Sequence, residues 1–509
     1  MNPDVLIVGA GPVGLTMAAE LTRYGLMVRI IDEAPERTDK SKALVVWPRT
    51  LEHLDRLGLA STFVSNGLKA THGRFFTGER ELAQVALNTG DTPFPYALMI
   101  PQSETERLLD EHLASIGVTV DRSVTLTALS QDSTSVTATL TYADGRTEAV
   151  ITPWLIGCDG AHSAVRHAVN AAFEGTTLPS DWVLADVHIT GPVSTDTAEL
   201  HLHADGILGI FPVSPTRFRV IANINHEGSK TADGQSPAEP TLSDIQGILD
   251  KRDKRGLRAV DPVWLSGFHI NERKVADFRH GRVFLAGDAA HIHSPAGGQG
   301  MNTGMQDAFN LAWKLALVQR NLVAQQSSPL LLDSYNAERS PVAAKVLKGA
   351  GLLTRMATLD NALLRGLRNS FIHFITGFDF VQHALTDNIT ELAISYPESS
   401  LNGKGSAPDD TPKPGERAPI RAGETPVSTG DTPRFALYAE PGADAEQFIA
   451  CFPQLLESKP RPPFEPGTIC LVRPDGYVAF TADTNAWPQA DAYMTNLIYG
   501  PQEKVHLSA

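Results

Sequence analysis

Three glycine-rich segments carry residues whose types and spacing could hold a nucleotide and do chemistry beside it. Gly9-Ala-Gly11-Pro12-Val-Gly14 follows the apolar run Val5-Leu-Ile-Val8 and opens a segment of helical pattern. In such a turn the first glycine permits the bend, the second lets the backbone approach a pyrophosphate, and the third lets helix and strand pack closely. The helix start offers unpaired N–H groups and the positive end of its dipole. Asp32 ends the next apolar strand, about 20 positions on, where an acid holds a ribose hydroxyl. This unit predicts a dinucleotide without choosing between FAD and NAD.

Gly281-Arg-Val-Phe-Leu-Ala-Gly287-Asp288-Ala-Ala-His291 delivers an acid just past the end of a buried strand. Its carboxylate suits polyol hydroxyls, which the ribityl chain of FAD has and NAD lacks. Pro295-Ala-Gly297-Gly298-Gln-Gly300-Met301-Asn302 follows at once. Its glycines let backbone amides approach a flat ring. A helix from about Gly300 would bring its positive end to a reduced flavin. Met305, Ala308, Leu311, Ala312 and Leu315 give that helix an apolar face.

With these two segments, Cys158-Asp159-Gly160-Ala-His-Ser163-Ala-Val-Arg166 completes an ordered set. Over residues 1–345 the chain resembles the single-component (class A) flavoprotein aromatic hydroxylases of the p-hydroxybenzoate hydroxylase type. The resemblance implies tightly but non-covalently bound FAD. It also implies NADPH as co-substrate, with Asp159 and Gly160 serving both cofactors, so no second nucleotide-binding unit is needed. Trp47-Pro-Arg49-Thr-Leu-Glu52 resembles the family's Arg-Thr-Leu-Glu helix start, and Pro101-Gln102 the segment whose Gln contacts FAD. Lys42-Ala43 stands where the family often has Arg-Ala beside FAD; lysine keeps the charge and loses the planar fork. Glu33 stands where a basic residue is common, which disfavours a phosphate contact by this side chain. The implied cofactor set therefore runs from Gly9, Gly11, Pro12, Gly14, Asp32 and Glu33, through Lys42, Ala43, Arg49, Gln102, Asp159, Gly160 and Arg166. It ends on Gly287, Asp288, Pro295, Gly298, Gly300, Met301 and Asn302.

The reaction this resemblance implies is hydroxylation of a phenolic or polycyclic aromatic, polyketide-like substrate by O2 through a flavin hydroperoxide. A water-poor pocket is needed to keep that species from decaying. Pro295 is the expected catalytic-edge residue. Arg219 is a candidate for holding a phenolate. Val45, Trp47, Phe211, Pro212 and Phe268 are the expected substrate wall. His201, His203 and His269 are candidate bases. Baeyer–Villiger insertion, epoxidation and a non-catalytic flavin-binding scaffold share the same flavin motifs. His291 and His293 lack carboxylates or cysteines at ligand spacing, so no metal is expected.

The elements that must position these residues are legible as patterns. The expected fold class is mixed α/β and α+β: a Rossmann-type FAD-binding domain, an inserted antiparallel-sheet substrate domain, a helical segment and a thioredoxin-like C-terminal domain. The expected FAD-binding domain comprises 1–70, 98–178 and 268–345, and the substrate domain 71–97 and 179–267. A helical segment at 346–398 contains the apolar stretch Phe371–Phe380. Residues 399–433 are rich in Pro, Gly, Ser and Thr and read as a linker. Residues 434–509 form the C-terminal domain, identified as thioredoxin-like by its resemblance to the polyketide and phenol hydroxylase branch: Pro414-Gly-Glu-Arg417-Ala-Pro419 opens the match and Val472-Arg-Pro-Asp-Gly-Tyr-Val-Ala479 resembles its penultimate hairpin. Val118–Val150 alternates as a meander.

Composition narrows the rest. The chain has 509 residues, a net charge of −15 and 42% hydrophobic residues. That charge disfavours nucleic acid as a partner. Three scattered cysteines give no disulfide framework and no Cys-x-x-Cys, so thiol chemistry is not expected and a reducing cytoplasm is. Neither a signal peptide nor a transmembrane segment is expected. The partners that the resemblance implies are a small aromatic substrate and O2, with a homodimer compatible with a supporting C-terminal domain.

Overall fold

The computed structural model describes residues 2–88, 90–224, 239–357, 386–406, 408, 410–421 and 423–500. Val5–Val8 is buried throughout and lies at the centre of a six-stranded sheet. The strand order is Arg279–His280, Val283–Leu285, Trp154–Gly157, Val5–Val8, Val28–Asp32 and Val120–Arg122. Val5 pairs in parallel with both Val28 and Trp154. Continuous apolar strands are what a parallel sheet covered on both faces requires. The helices Pro12–Arg23 and Gly300–Gln319 pack together against it. Gly304 permits their close approach: a Cβ there would lie 2.7 Å from Val13 Cγ2 and 3.1 Å from Gly287 Cα.

The expected meander is shorter than its alternation suggested. It consists of Val124–Gln131, Val136–Tyr142 and Thr147–Thr152, while Val120–Arg122 joins the parallel sheet. Ser123, at φ 56°, makes the break between them.

A second, eight-stranded sheet is built around two 17-residue strands, Glu174–Thr190 and Arg258–Lys274, which pair antiparallel. The expected domain boundaries at 178/179 and 267/268 fall inside these strands, so the chain passes between the two bodies without a linker. Helix Leu242–Arg252 covers one face through Ile245 and Leu249, against Val183, Ala185, Leu208 and Val220. Side chains alternate along a strand, so the opposite face carries Trp182, Leu184, Asp186, Phe211, Arg219 and Phe268. The register agrees: Phe211 lies opposite Arg219, Arg219 opposite Asp186, and Trp182 opposite Phe268.

Ser328–Ala357 is one long helix. Residues 358–385, which include the apolar stretch Phe371–Phe380, lie outside the described residues. The C-terminal body has strands Ala436–Tyr438, Thr468–Val472 and Val478–Asp483, all antiparallel, with helices Ala443–Cys451 and Trp487–Tyr499. Parallel bridges from Phe435 to Leu456 and Tyr438 to Arg461 add a fourth line beside the first strand.

The proline- and glycine-rich segment before it is a packed strap. Gly403 and Gly415 donate their N–H groups to Ala479 and Val478 carbonyls at 2.7 and 2.8 Å. Arg417 Nε reaches Glu52 Oε2 at 2.9 Å, and Arg56 Nε reaches the Val427 carbonyl at 3.2 Å.

A fully buried charged cluster joins the C-terminal body to the helix Gly300–Gln319. Glu338 accepts from Lys314 Nζ at 2.7 Å, Asn310 Nδ2 at 2.6 Å, and Arg473 at 2.7 and 2.9 Å. Trp313 Nε1 donates to Asp475 Oδ2 at 3.1 Å. Burial pushes the Glu338 carboxyl up, but Arg473 and Lys314 reverse this and hold it below the usual range. Burial brings the Lys314 ammonium down to about 8.

Candidate active site

At the N-terminal turn, Gly9 has φ +100°, and a Cβ there would lie 2.4 Å from the Cys158 carbonyl oxygen. A Cβ on Gly14 would lie 1.9 Å from the Gly9 oxygen. A Cβ on Gly11 would meet nothing within 4 Å, so this position faces open space. Gly11 caps the helix Pro12–Arg23 with no side-chain hydrogen bond, leaving the first-turn N–H groups open. Asp32 accepts the Ala10 N–H at 2.6 Å and the Ala34 N–H at 2.9 Å, so its carboxylate braces both sides of the turn. Glu33 is exposed.

Asp159 accepts from Ser163 Oγ at 2.5 Å and the Val165 N–H at 3.0 Å; burial nonetheless raises its carboxyl. Gly160 is left-handed at φ 76°. Arg166 was expected at the cofactor. Its guanidinium instead donates to the carbonyls of Ala161 (2.7 Å) and Ala289 (3.1 Å) and covers the Phe173 ring. It positions the Asp159-Gly160 and Gly287–Ala289 loops relative to each other.

Gly287 packs on the first helix: a Cβ there would sit 2.7 Å from Val13 Cγ2. Asp307, fully buried, accepts the Gly287 N–H at 3.0 Å, His291 Nε2 at 2.8 Å and Arg339 Nε at 2.7 Å. Burial raises its carboxyl, but Arg339 and His291 more than offset this. Asp307 therefore fixes the turn that presents Asp288. Asp288 is exposed and has no hydrogen-bond partner among the described residues, yet its carboxyl is raised by the protein enclosing it, against the opposing charges of His291 and Lys42. It is free to accept from hydroxyl groups. The open Gly11 backbone and the unpaired Asp288 carboxylate both fit the pyrophosphate and ribityl chain of FAD.

At the other end, Gly298 (φ 62°) touches Val45, where a Cβ would be 2.5 Å from Cγ1. Asn302 was expected at the cofactor. Its side chain donates to the Val45 and Gly298 carbonyls (2.9 and 3.1 Å) and accepts from the Trp47 N–H (2.9 Å). It is fully committed to joining the turn to the Val45–Val46 strand. Gly300 and Met301 open the helix without a side-chain cap, and Pro295 is exposed beside them. The Lys42-Ala43 loop is held by Gln102, whose Oε1 accepts the Ala43 N–H at 3.2 Å. Lys42 is exposed. His293 donates from Nδ1 to the Ser294 carbonyl at 2.8 Å, and burial lowers it to about 4.

Two arginines depart from expectation. Arg219 is 1% exposed and forms a two-pronged bond to Asp186, Nε to Oδ1 at 2.7 Å and Nη2 to Oδ2 at 2.9 Å. Its Nη1 holds the Lys42 carbonyl at 3.0 Å. Its charge is neutralised, so it positions the Lys42 loop and is not an open cation for a phenolate. Arg49 was expected at the cofactor. It lies on the C-terminal hairpin, bonded to Glu52 (2.8 Å) and the Asp475 carbonyl (2.9 Å) and stacked over Tyr477.

The substrate-wall residues divide. Val45, Trp47 and Phe211 share one apolar cluster with Met99 and Val213, and Pro212 is buried next to them. Phe268 packs farther along the same face with Trp182 and Ile207. The candidate bases are engaged elsewhere: His203 with Asp205 and His269 with Asp181, each at 3.3 Å. His201, Glu199 and Asp253 bring potential metal-ligand atoms within 4.8 Å, but Arg255 bonds both carboxylates, making this a salt-bridged cluster. Asp307, Arg339 and Glu391 were missed. The signal for Asp307 was a charge beside Ala308 and Leu311 on an apolar helix face.

Residues 2–350 match the family model described as FAD binding domain. The chain is 37% identical over 416 residues to 6-methylpretetramide 4-monooxygenase from Streptomyces rimosus, covering 80% of this chain and 72% of the relative. It is 32% identical over 508 residues to the 12-dehydrotetracycline 5-monooxygenase/anhydrotetracycline 6-monooxygenase of Streptomyces rimosus subsp. rimosus, covering 95% and 96%. The solved structure of an anhydrotetracycline hydroxylase from Streptomyces rimosus superposes with a TM-score of 0.79 at 30% identity, covering 98% of this chain and all of that one. Among the described residues no helix is long and apolar enough to cross a membrane. The open glycine turn, the unpaired strand-end acid and these matches lead to one assignment: the chain belongs to the FAD-binding-domain family of flavin-dependent monooxygenases.

Proposed function

We propose that this protein hydroxylates a phenolic or polycyclic aromatic substrate, with FAD as bound cofactor, NADPH as reductant and O2 as oxygen source. The observation that carries this reading is a physical join. Trp47 Nε1 donates to the Gly297 carbonyl at 3.1 Å, and Trp47 packs with Phe211 and Val45 in one apolar cluster. The turn that would face the flavin ring and the wall that would face an aromatic substrate are therefore one unit. When bound, FAD supplies acceptance of hydride and reaction with O2. The protein's part is to bind, orient and exclude water. Asp288 would accept the ribityl hydroxyls, and the first-turn N–H groups of Gly300–Gln319 would stabilise negative charge on the ring. The apolar cluster around Trp47 keeps water from the reacting face. A reducing, cytoplasmic setting is part of the same reading.

The test is NADPH consumption in air by the purified FAD-loaded protein, across phenols, naphthoquinols and polycyclic quinones, with product and peroxide followed together. A compound that speeds oxidation and gains one oxygen on its ring is the expected result. A yellow protein whose NADPH oxidation no compound stimulates would sink the proposal.

A further inference from the structure

Among the described residues Glu391 is a buried carboxylate that makes no ion pair. It is 1% exposed and takes φ 64°, a left-handed conformation that a non-glycine residue holds only at a cost. Its carboxylate reaches the first two turns of the helix Gly300–Gln319: Thr303 Oγ1 donates at 3.0 Å and Gln306 Nε2 at 2.5 Å. Both donors are neutral. Among the described residues the charged groups that act on it most are Arg339, from the helix Ser328–Ala357, and Asp307, from the helix Gly300–Gln319. Arg339 is already bonded to Asp307, the Tyr396 hydroxyl and the Thr303 carbonyl. The segment bearing Glu391 is tied to the same region: Gln299 Nε2 donates to the Asn388 carbonyl at 2.8 Å, and the Arg49 N–H to the Thr390 carbonyl at 3.4 Å.

We propose that Glu391 is a proton acceptor coupled to flavin reduction through the helix Gly300–Gln319. This rests on the reading that the flavin ring lies at that helix's N-terminus. A hydride brings two electrons and one proton to the ring, leaving one added negative charge at the helix start. Ionised Glu391 places a second negative charge beside the same two turns, and the two repel. Glu391 relieves this by taking one proton from solvent. Burial already raises its carboxyl to about 8, so it is neutral in the neutral range whatever the flavin state. Above that value it is ionised while the flavin is oxidised and becomes protonated when the flavin is reduced. Reduction then takes up two protons per two electrons where it took one.

The experiment is the midpoint potential of the bound flavin against pH, alongside its absorbance to confirm loading. In the wild type the slope should double above about pH 8 and, with Glu391→Gln, stay single throughout. A single slope in the wild type across this range overturns the proposal, as does a doubled slope that survives in Glu391→Gln. Should that variant not load flavin, redox-difference infrared spectra of the wild type at about pH 9 decide. A protonated-carboxyl band gained on reduction supports the assignment, and its absence refutes it. Failure of the wild type to hold FAD is a separate result: it removes the site reading itself, and the proposal falls with it.

Discussion

Gly11 and Gly14 are three residues apart in one turn, yet they should fail in opposite ways when a single methyl group is added. Gly11 has φ −76°, an ordinary value for any residue, and open space where its Cβ would stand. Gly11→Ala should leave the apoprotein's thermal unfolding unchanged. Its methyl would occupy the space a pyrophosphate needs to reach the first-turn N–H groups. Losing one charge-assisted hydrogen bond costs about 1.5–3 kcal/mol, or roughly 10–150-fold in Kd for FAD. Gly14→Ala forces a Cβ to 1.9 Å from the Gly9 oxygen, a backbone atom that cannot swing aside. The helix must shift off its strand, an overpacking cost of about 1–3 kcal/mol. The apoprotein should therefore unfold several degrees lower. Flavin fluorescence titration and calorimetry of the apoproteins separate the two. Undiminished FAD affinity in Gly11→Ala, or an unchanged unfolding temperature in Gly14→Ala, would refute this assignment of roles.

Asp288→Asn should weaken FAD binding by roughly tenfold, the worth of one charge-assisted hydrogen bond. Because the protein around Asp288 raises its carboxyl, its ionisation costs stability as pH rises from the ordinary carboxylate range to its raised value, so the same variant should make the apoprotein more heat-stable at neutral pH. Arg219→Met should leave Asp186, which is fully buried, with Arg217 alone, at a cost of about 3–5 kcal/mol seen in denaturant unfolding. A variant with normal stability and only a raised KM would restore Arg219 as a substrate cation. Glu338→Gln should cost a similar amount, and wild-type stability from this carboxylate should be complete above its ordinary range and fall away as acid approaches its depressed value. A pH–stability profile unchanged on the acid side in Glu338→Gln would contradict this.

What could be read from the sequence was local. The turn at Gly9–Gly14, the strand-end acids Asp32 and Asp288, and the helix from Gly300 each depend on neighbours a few positions away. The misread residues depend on partners brought close by register. Arg219 looked like a free cation because its counter-ion, Asp186, lies on the adjoining strand 33 positions earlier. Asp307 and Glu391 are joined to Arg339 and Thr303 across separations of 32 and 88 positions. Likewise, Pro and Gly content between 399 and 433 marked an irregular backbone, but not that Gly403 and Gly415 would bond a strand edge. Phe211 and Phe268 were assigned to one wall; strand alternation puts them on one face, and distance along the sheet separates their clusters.

The buried cluster around Glu338 constrains how such chains can be recombined. Three of its five hydrogen-bonded polar members, Asn310, Lys314 and Glu338, belong to the N-terminal two-thirds of the chain, while Arg473 and Asp475 arrive with the C-terminal body. A chimera grafting a foreign C-terminal unit would strand Lys314 and Glu338 without Arg473 unless both sides were exchanged together. The C-terminal unit is therefore not a modular cassette. Shuffling crossovers placed in the strap should yield folded hybrids only when the parents share this five-residue set.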